Sequence, residues 1–311
     1  MRAIVLGAAA GGAFPQWNSN APGCRRARSG DPAAKPRTQA SLAISGDGGE
    51  HWFLINASPD LRAQIEATPV LHPRHGLRSS PIAGVVLTGA DVDAIAGLLT
   101  MRERHVFALY AAERVQAVID ANPIFGVLSP DCVRRRTLPL GERIALCGAD
   151  GEPAGLAVES FAVPGKVPLY LEGAGFDPAA TALETGDTIG LEIAEPATGA
   201  RLFYIPGCAR MTPALADRLR GAPLVLFDGT LWTDDEMIRG GLGPKTGRRM
   251  GHMSVSGDGG TIAAFRDLGV RRKILIHINN SNPILIEDSP EHAAVRDAGW
   301  EVSFDGMELA L

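Results

Sequence analysis

Cysteine is scarce. The chain has four, Cys24, Cys132, Cys147 and Cys208, and no Cys-x-x-Cys pair. A disulfide framework needs a denser set, so they read as reduced thiols of a cytoplasmic protein. No apolar run reaches the ~18 residues that read as a membrane-spanning helix. The opening MRAIVLGAAAGGAF carries one charge, Arg2, before a run that breaks into glycines. It reads as a buried first strand, with a cleaved signal as the alternative. Basic residues are not in excess: 30 Lys+Arg stand against 35 Asp+Glu, net −5, which excludes a dedicated nucleic-acid binder. A Gly-x-Ser-x-Gly elbow is also missing, since Ser254 lies in Gly251-His252-Met253-Ser254-Val255.

What is present is ordinary globular composition: 45% of 311 residues are hydrophobic and 21% charged, which rules out wholesale disorder. With 37 glycines and 22 prolines, the chain predicts strands and turns rather than a helical bundle. Strands are expected at 3–7, 40–45, 52–56, 82–89, 107–111, 156–163, 187–195, 201–207, 223–229, 273–279 and 301–306. Helices are expected at 59–68 (Ser58 as cap, Pro59 first), 91–103, 112–122, 259–269 and 291–299. Residues 8–37 read as a long loop, and such loops are usually functional. Two similar halves of strands followed by a helix, with no linker, fit a single domain over 1–311. The expected architecture is a four-layer αββα sandwich. A doubly wound Rossmann sheet is the runner-up, opposed by strand-rich stretches that lack crossover helices.

Three regions carry candidate chemistry. The glycine loop Gly7–Gly12 follows a strand, but Ala9 stands at the second glycine of a dinucleotide fingerprint and no helix follows. Asp91 and Asp93 sit in a strand-to-helix turn, where two carboxylates converge on a cation or simply complement the helix dipole. Asp228 and His277 each end an apolar strand, and His252 lies in a Gly-His-Met-Ser run. A lone buried histidine is more often a hydrogen-bonded core residue. Several strand ends meeting on one rim nevertheless mark a site. Mixed histidine and carboxylate ligands suit Fe(II), Mn(II) or Zn(II), and open positions favour iron. Asn279, Asn280 and Asn282 form Asx-turns before Pro283 or line a polar pocket. Lys245, Arg248 and Arg249, among glycines and close to His252, are the cations placed to hold a substrate carboxylate; the other arginine clusters read as solvated faces. Cys208 reads as a small buried residue, with a nucleophile or metal-proximal thiol as the alternative.

The stretches GxxxGGxFPQWN (7–18), KPRTQASLAIS (35–45), NASPDLR (56–62), HPRHGLRSSPI (72–82), VPGKVPLYLE (163–172), YIPGCARMTP (204–213), LFDGTLWTDDEMIRGGLGPKTGRRMGHMSVSG (226–257) and HINNSNPILIEDSPE (277–291) resemble the coenzyme PQQ synthesis protein B family. The likeness runs over nearly the whole chain. It implies a metallo-β-lactamase-like sandwich and a place in pyrroloquinoline quinone (PQQ) biosynthesis. The implied activity is an iron- and O2-dependent hydroxylation of tyrosine in a glutamate–tyrosine precursor. The alternatives are carriage of PQQ or its precursor to the periplasm, or oxygenase or hydrolase chemistry on a related substrate. The expected partner is a small tyrosine-derived precursor or PQQ; a homodimer stays open. On the superfamily's His-x-His-x-Asp-His run, this chain places Gly89, Asp91, Asp93 and Ala94, so a histidine that the family normally retains is alanine here. The expected metal set is Asp91, Asp228 and His277 around Fe(II). Asp93 and His252 are the expected catalytic groups, and Lys245, Arg248, Arg249, Asn279 and Asn280 the substrate contacts. The family's Cys-x-Cys-x-x-Cys knuckle reads Ser19, Ala21 and Cys24, which predicts that no structural zinc sits in the first loop.

Overall fold

The computed structural model describes residues 1–172 and 184–311. Two seven-stranded mixed sheets face each other. The first sheet contains β1 (Arg2–Gly7), β2 (Ser41–Ser45), β3 (Trp52–Ile55), β4 (Ile82–Val86), β5 (Phe107–Ala111), β6 (Val133–Thr137) and β14 (Glu308–Leu309), in the order β14-β1-β2-β3-β4-β5-β6. The second contains β7 (Arg143–Cys147), β8 (Pro153–Ala162), β9 (Ile189–Glu195), β10 (Ala200–Ile205), β11 (Leu224–Asp228), β12 (Arg272–Ile276) and β13 (Glu301–Val302), in the order β13-β12-β11-β10-β9-β8-β7. Val5, Leu42, Ile44, Phe53 and Ile55 of the first sheet share one buried apolar core with Leu191, Ile193, Tyr204, Leu226 and Ile274 of the second. Helices close the outer faces. α2 (Leu61–Glu66), α3 (Val92–Ile95) and α4 (Glu113–Ala121) bury Leu61, Ile95 and Val115 on the first sheet. α5 (Pro213–Leu219) and α9 (Pro290–Asp297) bury Leu215 and Val295 on the second. This is the expected four-layer αββα arrangement.

The parallel runs β3-β4-β5-β6 and β10-β11-β12-β13 set the site. They bring the carboxyl ends of β4, β11 and β12 to one rim, where open α/β sheets place ligands.

Several elements differ from expectation, each for a local reason. The long helix expected at 91–103 is a single turn, α3, followed by a 3-10 stretch, Ala96–Arg102. The Ala94 carbonyl accepts from the Ala57 N–H, and the Gly97 N–H donates to the Ala57 carbonyl. The Ala57 backbone has displaced the helical ladder. Gly97 permits this approach, because a Cβ there would lie 2.1 Å from the Ser58 carbonyl oxygen. α2 begins after Asp60 rather than at Pro59; the Ser58 hydroxyl accepts from the Asp60 N–H at 3.3 Å and donates to Gln64 Oε1. The first loop contains an unexpected helix, α1 (Pro22–Arg28), which starts on Pro22 without a side-chain cap. The helix expected at 259–269 is reduced to α8 (Thr261–Ala264). The strand expected at 301–306 stops at Val302. Both the N–H and the hydroxyl of Ser303 donate to the Leu275 carbonyl. Asp305 accepts from the N–H groups of Ala8 and Thr38, and the chain crosses to the first sheet as β14.

Candidate metal centre

Asp228 is the last residue of β11 and has no exposed surface. Both carboxylate oxygens are occupied. Oδ1 accepts from the Thr230 N–H at 3.0 Å and its hydroxyl at 2.7 Å. Oδ2 accepts from the Cys208 N–H at 2.9 Å and faces His252 Nδ1 at 2.8 Å. His277 leaves β12 with φ at 59°, a left-handed backbone that costs about 1–3 kcal/mol at a non-glycine residue. The Ile278 N–H to the Ala8 carbonyl and the Asn279 N–H to the Thr230 carbonyl hold it there. The strained turn stacks the His277 and His252 rings, centroids 5.1 Å apart and 23° from parallel.

Asp93, in the first turn of α3, reaches His277 Nε2 through Oδ2 at 2.8 Å. His277 Nδ1 lies 2.9 Å from the Thr230 hydroxyl oxygen. Burial pushes the His277 pKa down, but the bond and charge of Asp93 outweigh it and the net direction is up. Burial likewise pushes Asp93 up, and His277 brings it below the ordinary carboxylate value. Asp91 goes the other way: burial raises it, Lys166 at 3.8 Å opposes and Asp93 adds to the rise.

Among the described residues, one group has three metal-ligating side chains within reach of one ion: Asp228, His252 and His277, with ligand atoms within 4.8 Å of one another. Two imidazoles and a carboxylate are the donor set of a non-haem iron or catalytic zinc site, so these residues fit a divalent metal. The grouping corrects the expected set. His252 groups with Asp228 and His277, while Asp91 lines the same cavity with Lys166 Nζ 3.8 Å from its Oδ1. Asp93 orients His277. Ala94 lines the cavity and offers no ligand.

The cavity above the centre has a volume of about 490 Å³. Its lining includes Asp91, Asp93, His252 and His277 together with Lys166, Lys245, Leu169, Met237 and Met250. Of the expected substrate contacts, Lys245 and Asn279 line it. Arg249 stands behind, its Nη2 2.9 Å from Glu172 Oε2. Arg248 and Asn280 are corrections. Arg248 is exposed, with its backbone N–H held by Asp234. Asn280 is buried away from the cavity, donating to Gln16 Oε1 and accepting from the Cys24 thiol. Cys24 itself packs in the core, and Ser19 Oγ accepts from the Ala21 N–H. Cys208 is buried and burial pushes its thiol well up, so its contribution is the N–H that holds Asp228 rather than a nucleophile. Sequence reasoning missed Thr230, Lys166 and Glu172. Thr230 follows Asp228 by two residues on a strand end, which was the available signal. Lys166 and Glu172 lie in a proline-rich stretch without periodicity.

Among the described residues, no helix is long and apolar enough to cross a membrane. A model of the β-lactamase superfamily domain matches residues 51–278. The chain is 66% identical over 306 residues to coenzyme PQQ synthesis protein B of Gluconacetobacter diazotrophicus, covering 98% of each. To the protein of the same name from Gluconobacter oxydans it is 54% identical over 308 residues, 99% of this chain and 98% of the relative. The crystal structure of Zn(2+)-bound PqqB from Methylobacterium extorquens superposes with a TM-score of 0.94 at 49% identity over 100% of both chains. A diphosphatase of the PhnP family, TM-score 0.67 at 19% identity over 100% of this chain and 97% of that one, shares the fold alone. That protein is Zn(2+)-bound, whereas the expectation here is Fe(II) with no structural zinc. By sequence and by fold, this chain belongs to the coenzyme PQQ synthesis protein B family of the metallo-β-lactamase superfamily.

Proposed function

We propose that the chain acts in PQQ biosynthesis as a metal-dependent hydroxylase of tyrosine within a glutamate–tyrosine-derived precursor. The observation that carries this reading is the Asp228, His252 and His277 group beside a cavity lined by His252, His277 and two lysines. These three residues would hold a divalent metal. Fe(II) there would supply O2 chemistry that no side chain can perform. The protein supplies position and surroundings. Thr230 and the Cys208 N–H fix Asp228, and Asp93 fixes His277. Lys245, backed by Arg249, would receive a precursor carboxylate at the mouth. Leu169, Met237 and Met250 would cover the ring and exclude water.

The test is turnover. Protein loaded anaerobically with Fe(II) is given O2, ascorbate as two-electron donor and a Glu–Tyr peptide. Mass spectrometry should find one added oxygen atom. Stoichiometric iron with no hydroxylated product sinks the reading. Zn(II)-loaded protein should give no product, because zinc has no redox chemistry.

Ala94 favours a second reading, binding or carriage of the precursor or quinone without catalysis. The cavity persists while one family ligand is gone. Retention of PQQ by metal-free protein, with no retention of Fe(II), is the result expected from a carrier.

A further inference from the structure

Glu172 is a carboxylate in an unusual position. Its side chain is 7% exposed, and three cations from two stretches of chain surround it. Lys166 Nζ lies 3.3 Å from Oε1, Lys245 Nζ 3.3 Å from Oε2 and Arg249 Nη2 2.9 Å from Oε2. Oε1 is buried yet completes no hydrogen bond. The two lysines line the cavity. Burial pushes the Glu172 carboxyl up, but Arg249 and the two lysines bring it down to about 2. The cations thus select strongly for an ionised carboxylate at this point.

Nothing in the metal centre needs this carboxylate. It touches none of Asp228, His252, His277 or Asp93. Lys166 connects the two regions, because its Nζ is also 3.8 Å from Asp91 Oδ1. Leu169, Met237, Met250, Ala10 and Ala94 also line the cavity and give it apolar walls. A volume of about 490 Å³ accommodates a small organic molecule. Such a ligand would have an apolar or aromatic body and an acid group at the lysine end.

We propose that Lys166 and Lys245 form a carboxylate-binding rim, and that Glu172 is an internal stand-in which an incoming ligand carboxylate displaces. The ligand class is a small aromatic or amino-acid carboxylate. This deepens the substrate reading above and rests on the cavity being where the precursor binds. Lys166 is thereby a specificity-determining residue, and the Glu172 side chain competes with the ligand for the same donors. A neutral ligand of the same shape gains nothing at the rim. An acid gains charge-assisted hydrogen bonds with both lysines.

The experiment uses isophthalate as probe and isophthalamide as its neutral isostere, with affinities from calorimetry on the whole chain. Glu172→Gln removes the competing charge at constant size and should bind isophthalate roughly tenfold more tightly than wild type, the scale of one charge-assisted hydrogen bond. Lys166→Met in the Glu172→Gln background should abolish that gain. Isophthalamide affinity should be the same in all three proteins. Glu172→Asp, which withdraws the carboxylate by one methylene while keeping its charge, should fall between wild type and Glu172→Gln. It supplies the reading if the glutamine variant does not fold. Equal isophthalate affinity in wild type and the Glu172 variants overturns the proposal, as does a parallel change for isophthalamide. The outcome is separable from turnover: a rim that ignores carboxylates while Glu–Tyr is hydroxylated removes only this inference. A rim that binds isophthalate without any turnover removes only the hydroxylase reading.

Discussion

Asp93 and His277, 184 residues apart in sequence, meet at 2.8 Å between Oδ2 and Nε2 across the gap between the two sheets. Asp93 comes from α3 on the first sheet and His277 from the end of β12 on the second. The pair therefore couples the layer packing to the metal centre. Any ion that takes His277 as a ligand must find its ring already oriented by Asp93.

Asp93→Asn tests that coupling. An amide keeps the size and loses the charged acceptor that orients the ring and raises its basicity as a ligand. Groups that orient a metal-bound histidine are worth roughly 10–100-fold in metal affinity. Zn(II) or Fe(II) affinity should fall within that range, with circular dichroism unchanged. Undiminished affinity would mean that Asp93 serves only to pair with His277 in the absence of metal.

Thr230 is a denser junction. Its hydroxyl oxygen lies within 2.7–3.1 Å of Asp228 Oδ1, His277 Nδ1, the His277 carbonyl and His252 Nδ1. Thr230→Val preserves the branched shape and removes every one of these bonds. Leaving buried Asp228 short of a donor costs about 1–3 kcal/mol. Denaturant unfolding should show that loss, and metal affinity should fall as well. Thr230→Ser, which restores the hydroxyl, should recover most of both.

The legible part of the site was the part carried by strand ends. Asp228 and His277 follow apolar runs that can only be buried strands, so a polar residue at their ends announces itself. Asp91 lies outside the tight group of Asp228, His252 and His277, which sequence spacing alone does not show, because spacing gives position along the chain but not the direction of a side chain. His252 was underrated because it lies outside any strand. It is placed by α7 (Gly247–Met250) and the left-handed turn at Gly251, whose position over Asp228 depends on β11. The helix at 91–103 was overlong because helical spacing of Ala94, Leu98 and Met101 says nothing about the Ala57 backbone that interrupts it. The αββα layering was legible because alternation and apolar runs report burial directly, whereas α1 has neither a cap nor a regular stripe.

Glu172 gives a pH dependence with a definite sign. Its folded pKa of about 2 lies below the unfolded value of 4.5. The native state therefore holds the proton less tightly than the unfolded chain. The associated stability is fully present above about 4.5 and is lost as pH falls towards 2. Glu172→Gln has no proton to take up. Thermal melting should thus decline less steeply for the variant than for wild type across that window, while the two curves run parallel from pH 6 upward. Parallel curves throughout the acid range would show that the cations do not hold Glu172 in solution.

Ala94 is the position where one substitution most directly interrogates the centre. It is 7% exposed, lines the cavity and follows Asp93 in α3. Its neighbours in space already include the Asp93–His277 pair. Ala94→His introduces an imidazole on the same turn, at the position where the resemblance to the family implies one. A fourth donor should raise Fe(II) and Zn(II) affinity at least tenfold, since one coordinated imidazole outweighs the water it replaces and each tenfold needs only ~1.4 kcal/mol. Metal retention after gel filtration gives the readout. Turnover of the Glu–Tyr peptide then separates two histories. A wild type that binds iron stoichiometrically and turns over as fast as Ala94→His has a complete three-ligand centre. A wild type that loses iron, beside a variant that retains it and gains hydroxylation, has kept the cavity for binding after losing the reaction. Ala94→His with no gain in metal affinity would place this turn of α3 outside the coordination sphere and leave Asp228, His252 and His277 as the whole of the centre.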